Sequence, residues 1–323
     1  MKAALLLNRD NFEMYSDWND TGWELIHMGN GEPDVRQVIA TGADVLVVDA
    51  VTKVGRDIID NMPGLRLIHS QGVAYNAIDI EAARSANVYV CNNAGVNARA
   101  VAEQAVLLIL SLLKSFRHNE DMVYARRQME AKTACFKNGI PELSGLLVGI
   151  VGYGAIGSEL AKRLKPFECS LCYYDTLGEK AGSEIQFVPL NELISSCDII
   201  SLHVPVTPET TNMINEDSLK MFKRGAILIN TGRGELMDHE AVVNALITGQ
   251  LGGLGTDTLA PEPVLEDNPL LVRLPEELRR NVALSPHIAG ITAGSFRRMY
   301  ERIRKNIEAV SRGDRPDCIV NGL

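Results

Sequence analysis

The stretch LLVGIVGYGAIGSEL, residues 146–160, decides the fold of the second half of this chain. An apolar run suited to a buried parallel strand ends at Gly152, and Gly154 and Gly157 complete the pattern G-x-G-x-x-G. Ile156, Leu160 and Leu164 then share one face of a helix. Gly152 permits the tight turn out of the strand. Gly154 lets a pyrophosphate approach the backbone, and Gly157 lets the helix pack close to the sheet. The helix start at Ala155 and Ile156 offers free N–H groups and a positive dipole end to phosphates. The next apolar strand, CSLCYYD (169–175), ends in Asp175. A carboxylate at that distance accepts hydrogen bonds from the ribose hydroxyls of an adenosine and repels a 2′-phosphate; the alternative is a plain turn residue. TLGEK follows, with Glu179, a single lysine and no arginine, which points to NAD rather than NADP.

With 323 residues the chain is long enough for two cored domains. Its 46% hydrophobic and 23% charged residues are ordinary for a soluble globular protein. A net charge of −9 argues against binding nucleic acid through its phosphates. MKAALLLNRD stops its apolar run at Asn8 and reads as a first strand rather than a signal peptide. The run AVLLILSLL (105–113) is too short to span a bilayer. The expectation is a cytoplasmic protein that does not engage a membrane. Six scattered cysteines include Cys169-x-x-Cys172, but residues three apart on a strand face opposite ways and no second pair completes a zinc set. They read as reduced thiols, with no metal site.

Before the glycine-rich turn, short strand patterns recur at 3–7, 23–28, 44–49, 65–70 and 88–92, separated by helical stretches such as 35–42 and 77–86. This alternation implies a parallel α/β domain of its own. ARAVAEQAVLLILSLLKSF (98–116) is apolar on nearly every side, so it must be buried all round, in a core or against a second subunit. Strand patterns resume at 197–204, 225–232, 251–259 and 281–285, and a last helix over 295–313 can return to the first domain.

Ligands of open α/β sheets sit outside the carboxyl ends of the strands. Three successive strands there end in reactive side chains: Arg233 in GAILINTGRGELMD, Asp257 and then Glu262 in LGGLGTDTLAPEP, and His287 in NVALSPHIAG. Arginine can clamp a substrate carboxylate as a bidentate fork. Histidine can give a proton to a carbonyl oxygen as hydride reaches its carbon, and a neighbouring carboxylate orients the ring. Of the remaining histidines, His203 ends a strand beside Val204 and Pro205 and is expected to border the cofactor.

Over essentially its full length the chain resembles the NAD-dependent D-2-hydroxyacid dehydrogenases. The resemblance rests on SLHVPVTPETTNMIN (201–215), ILINTGRGELMD, the stretch from Asp257 to Pro263, and SPHIAGIT (285–292). It implies two doubly wound parallel-sheet domains, a Rossmann NAD-binding domain (97–290) inserted into a flavodoxin-like substrate domain formed by 1–96 and the C-terminal 291–323. It also implies a dimer arm at about 98–140, hence a homodimer. Arg233 is expected on the substrate carboxylate, Glu262 as partner of the acid/base His287, and Asp257 on the nicotinamide carboxamide. Thr210, Thr231, Gly232, Arg233 and Gly290 are expected along the cofactor with His203, Val204 and Pro205. SQGVAYNAID (70–79) resembles the loop whose amides, here Val73 and Ala74, hold the substrate carboxylate, although Ala74 replaces the glycine common there. Glu262 argues against the formate dehydrogenase branch. Asp49 and Ala50 stand where relatives often carry Arg-Ser, so Asp49 either disfavours substrates with a second anionic group or merely caps a turn. The implied activity interconverts a small 2-oxo acid and its D-2-hydroxy acid. An NAD(H)-sensing corepressor on the same fold is the alternative.

Overall fold

The computed structural model describes residues 1–32 and 34–323, and among them the chain divides into two compact units: Met1–Asn97 with Ile291–Leu323, and Ala98–Gly290. The first contains β1 (Lys2–Leu6), β2 (Glu24–His27), β3 (Val45–Val48), β4 (Leu67–Ser70) and β5 (Tyr89–Cys91), all parallel, in the order β2-β1-β3-β4-β5. Side chains alternate across a strand, so each face of this sheet collects its own core. Ala4, Leu6, Leu46, Val48, Ile68 and Val90 pack with Val38, Ile58, Ile59, Ala82 and Ala83 from the connecting helices. Ala3, Leu5, Val45, Val47 and Leu67 meet Phe12, Trp18 and Tyr300, Ile303 and Ile307 of helix Ala293–Arg312. The chain's last helix thus joins its first in covering this face. Both faces being covered, β3 and β4 are buried along their whole length, as continuous apolar runs require.

The second unit contains β6 (Leu147–Val151), β7 (Ser170–Tyr174), β8 (Gln186–Phe187), β9 (Ile199–Leu202), β10 (Ala226–Asn230), β11 (Leu251–Thr256) and β12 (Val282–Leu284). All are parallel, in the order β12-β11-β10-β9-β6-β7-β8. The chain works outward from β6 to β8, then crosses to β9 and proceeds the other way. The direction of winding therefore reverses between β6 and β9, where an open sheet leaves a crevice for a ligand. Helix Ala98–Leu113 lies against β11 so closely that a Cβ on Gly255 would come within 2.9 Å of Leu108 Cβ.

One reading changes. The apolar helix was expected to reach residue 116, but it ends at Leu113, and Ser115 adopts a left-handed conformation (φ 45°) before separate helices Phe116–Tyr124 and Gln128–Asn138. Leu107 on this helix is 55% exposed within the single chain, which leaves open the expected burial against a second subunit. The two-residue edge strand β8 carries too short a pattern to show in the sequence.

Candidate active site

The glycine-rich turn has the form a dinucleotide needs. Gly152 has φ 95°, and a Cβ there would lie 2.5 Å from the His203 carbonyl oxygen. A Cβ on Gly157 would run into the Gly152 carbonyl, whereas one on Gly154 would meet nothing. Gly152 and Gly157 are therefore required by packing, and Gly154 keeps open the space in front of helix Ala155–Leu164, where a pyrophosphate fits. Asp175 is tied to this turn. Its Oδ2 accepts from the Tyr153 N–H (2.7 Å) and its Oδ1 from the Leu177 N–H (3.0 Å). An ionised carboxylate accepts about four hydrogen bonds, so acceptor capacity remains for ribose hydroxyls. Tyr153 stacks on the buried Tyr173 (4.1 Å between centroids), whose hydroxyl accepts from the Lys180 N–H (2.7 Å). The turn carrying Asp175 is thereby fastened at both ends.

Across the crevice, His203 follows β9. Its Nε2 pairs with Ser201 Oγ at 2.9 Å and its Nδ1 lies 3.5 Å from Thr231 Oγ1. Burial pushes its pKa down to about 4, so the ring is neutral near pH 7. Thr210 closes the loop after Pro205: its hydroxyl donates to the Pro205 carbonyl and accepts from the Thr207 N–H, both at 2.7 Å.

The ends of β10, β11 and β12 carry the reactive side chains. Asn230, the last residue of β10, shapes the arginine turn: Oδ1 accepts from the Gly232 N–H (3.0 Å) and Nδ2 donates to the Arg233 carbonyl (2.8 Å). Arg233 is exposed, its Nη1 donates to the Gly232 carbonyl (2.8 Å), and it has no carboxylate partner among the described residues. A Cβ on Gly234 would strike the backbone of Leu259 and Ala260, so this turn sits directly on the start of the loop bearing Glu262. Buried Asn268 holds that loop from the other side, donating to the Ala260 carbonyl (3.3 Å) and His239 Nδ1 (3.0 Å). Glu262 and His287 meet. His287 Nδ1 lies 2.7 Å from Oε1 and 2.8 Å from Oε2, and both side chains are partly solvent-exposed.

His287 itself adopts a left-handed backbone (φ 55°), uncommon for a residue with a Cβ. Asp257 imposes it. Its carbonyl accepts from the His287 N–H (2.7 Å), its Oδ1 from Ser285 Oγ (2.5 Å) and the Ile288 N–H (3.1 Å), and its Oδ2 from the Ala289 N–H (2.8 Å). Ser285 Oγ in turn accepts from Gln104 Nε2 (2.9 Å). Gly290, expected beside the cofactor, ends this turn. The sequence reading missed Ser285, Gln104, Asn230, Asn268 and Tyr173. Asn230 lies within three residues of its partners and Ser285 two residues before His287, so both were within reach of it, whereas Gln104 is distant in the chain.

In the first unit, the loop after β4 leaves the N–H groups of Gly72, Val73 and Ala74 without acceptors among the described residues, and Val73 and Ala74 are exposed. Asp49, at the end of β3, accepts from the N–H groups of Val51 (3.0 Å) and Thr52 (2.7 Å) through Oδ1. It caps its turn through Oδ1, which leaves open the other role weighed for it.

Residues 106–289 match the family described as D-isomer specific 2-hydroxyacid dehydrogenase, NAD binding domain. The chain is 36% identical over 282 residues to the glyoxylate reductase of Thermofilum pendens, covering 86% of this chain and 81% of that one. It is 32% identical over 315 residues to the hydroxypyruvate reductase of Thermotoga maritima, covering 94% of each. The solved structure of D-2-hydroxyisocaproate dehydrogenase superposes with a TM-score of 0.86 at 28% identity, covering 100% of both chains. With its glycine-rich turn, Asp175 and paired Glu262 and His287 in place, the chain belongs to the D-isomer-specific 2-hydroxyacid dehydrogenases, NAD-dependent oxidoreductases acting on CH–OH donors.

Proposed function

We propose that this enzyme reduces a small 2-oxo acid to the D-2-hydroxy acid, with His287 as acid/base, Glu262 as its partner and Arg233 as the substrate's carboxylate clamp. The observation that carries this reading is the seating of His287 Nδ1 against both oxygens of Glu262. A carboxylate there holds the Nδ1–H and leaves Nε2 to face the reacting oxygen. Bound NADH supplies the hydride. In reduction, His287 donates its Nε2 proton to the carbonyl oxygen as that oxygen gains charge; in oxidation, the neutral ring takes it back. Arg233, with no carboxylate partner among the described residues, offers the planar fork that a carboxylate fits. In the first unit, the free N–H groups of Val73 and Ala74 are offered to a substrate carboxylate.

Residues 98–290 form the cofactor domain in this reading. Gly152, Gly154, Ala155, Ile156 and Gly157 receive the pyrophosphate and Asp175 the adenosine ribose. His203, Val204, Pro205, Thr210, Thr231, Gly232 and Gly290 border the dinucleotide, and Asp257 offers its last acceptor position, on Oδ2, to the carboxamide. Residues 1–97 and 291–323 form the substrate domain. The relatives named as glyoxylate and hydroxypyruvate reductases support a short, unbranched acid. The exposed Leu107, Phe116, Tyr124 and Phe136 along the helices from 98 to 138 support a homodimer joined through them. Sedimentation of the wild type and of Tyr124→Asp/Phe136→Asp tests that assembly.

Loss of NADH absorbance, followed with glyoxylate, hydroxypyruvate, pyruvate, bulkier 2-oxo acids and 3-phosphohydroxypyruvate, tests the activity. Glyoxylate or hydroxypyruvate is expected to give the highest kcat/KM. His287→Ala is expected to lose on the order of 10² to 10⁴ in rate while still binding NADH. NADH left unconsumed with every acid would reject the proposal.

A further inference from the structure

The 70–74 turn after β4 has all five of its carbonyls accepting hydrogen bonds, and two adjacent asparagines at the end of β5 supply most of them. Asn93 Nδ2 donates to the Gln71 carbonyl (2.9 Å) and, at 3.4 Å, to that of Ser70, which also pairs with His69 Nδ1 (2.9 Å). The Asn93 N–H donates to the Gly72 carbonyl (2.9 Å). Asn92 Nδ2 donates to the Val73 carbonyl (2.7 Å), and Ser70 Oγ to that of Ala74 (2.6 Å). Both asparagines are buried, and Asn93 Oδ1 has no donor among the described residues. Leaving a buried acceptor unpaired is costly, so the side chain's orientation is set by what its NH₂ group holds.

In a planar trans peptide the carbonyl of one residue and the N–H of the next point opposite ways. Drawing the Gly72 carbonyl inward turns the Val73 N–H outward, and drawing the Val73 carbonyl inward does the same for Ala74. These are the two N–H groups assigned above to the substrate carboxylate. We infer that Asn92 and Asn93 are positioning residues for substrate binding, which clamp the carbonyl side of the turn so that its amide side is preformed for a carboxylate. The inference rests on that assignment. It also accounts for the tolerance of alanine at position 74, since the turn is held from outside by asparagine rather than by its own glycines.

The experiment measures kcat, KM for the preferred 2-oxo acid, inhibition by oxamate (a non-reducible carboxylate analogue), NADH affinity and thermal midpoint. The variants are Asn92→Ala, Asn92→Leu, which fills the side chain's volume without donor or charge, and Ala74→Pro, which deletes the N–H that Asn92 orients. Both Asn92 variants are expected to raise KM and the oxamate inhibition constant together, about tenfold, with kcat and NADH affinity within about twofold. A purely structural role would lower the midpoint and the active fraction, hence apparent kcat, and leave KM where it was. If Ala74→Pro raises KM while both Asn92 variants keep the wild-type KM and oxamate inhibition, the clamp is overturned and the loop assignment stands. If Ala74→Pro itself leaves KM and oxamate inhibition unchanged, the loop assignment falls and the clamp with it.

Discussion

Replacing Ser285 with alanine removes one oxygen atom and is expected to damage catalysis as well as stability. Two hydrogen bonds go. The 2.5 Å bond from Ser285 Oγ to the Asp257 carboxylate is charge-assisted, worth roughly 1.5 to 3 kcal/mol. The bond from Gln104 Nε2 is neutral, worth about 1 kcal/mol. A loss of about 2 to 4 kcal/mol lowers the thermal midpoint by several degrees without unfolding the protein at room temperature. A second consequence lies two residues on. Asp257 Oδ1 is shared by Ser285 and the Ile288 N–H, so a carboxylate freed on one side rotates and weakens its hold on Ile288 and Ala289. Those bonds keep His287 at φ 55°, a conformation costing roughly 1 to 3 kcal/mol that the turn sheds once released. A catalytic ring displaced by about 1 Å loses on the order of 10²-fold in rate. Steady-state reduction by Ser285→Ala should therefore show kcat lowered by about 10- to 100-fold, with NADH affinity, read by fluorescence titration, within about twofold of wild type. Ser285→Thr, which keeps the hydroxyl, should recover most of the rate. A Ser285→Ala enzyme with a lowered midpoint but wild-type kcat would refute the link between this hydroxyl and the histidine.

Asp175→Ala removes the acceptor for the Tyr153 and Leu177 N–H groups and, in the proposed reading, for the ribose. Affinity for NADH should fall by roughly 2 to 4 kcal/mol and the preference over NADPH should narrow, and a wild-type enzyme equally active with NADPH would contradict the assignment. Arg233→Lys keeps the charge but loses the planar fork, so KM for the 2-oxo acid should rise and kcat fall together; an unchanged kcat/KM would remove Arg233 from the site. His69 is buried on β4, with Nε2 accepting from Asn306 Nδ2 (3.0 Å), and burial pushes its pKa down from 6.5 to about 4. The unfolded chain then binds the extra proton first, so His69 costs no stability above about pH 6.5. Stability is lost as pH falls from there toward 4, by about 3 kcal/mol in all. Denaturant melts at intervals from pH 7 to 4.5 should show a shallower decline for His69→Gln than for wild type, and parallel declines would exclude His69 as a source.

What could be read in the chain beforehand follows from how local each signal is. The glycine-rich turn, Asp175 and the strand patterns of β3, β6 and β9 depend on residues within one turn or one strand of each other, so spacing alone exposes them. The pairing of Glu262 with His287 was legible for a related reason. Successive parallel strands bring their carboxyl ends side by side, so side chains placed at equivalent strand ends converge even when they are 25 residues apart, as Glu262 and His287 are. The end of helix Ala98–Leu113 at Ser115 was not legible, because LLKSF carries no proline or glycine and the left-handed residue is a serine.

The residues that hold the site in shape were hidden for a different reason, and Gln104 makes the point. It reaches Ser285 across 181 residues of chain, from a helix whose sequence reads as almost wholly apolar. Nothing in ARAVAEQAVLLIL says that its one glutamine ends beneath a histidine turn, because that depends on how closely the helix lies on β11. Gly253 and Gly255 allow that approach, and Leu108 fills the space above Gly255. The two glycines would pass for weak points in a strand if read alone. They instead allow the helix to come close enough for Gln104 to reach Ser285, Ser285 to hold Asp257, and Asp257 to fix the backbone of His287. A bulkier residue at position 255 should accordingly push the helix away and lower kcat through the same chain of contacts, although it lies at no ligand's edge.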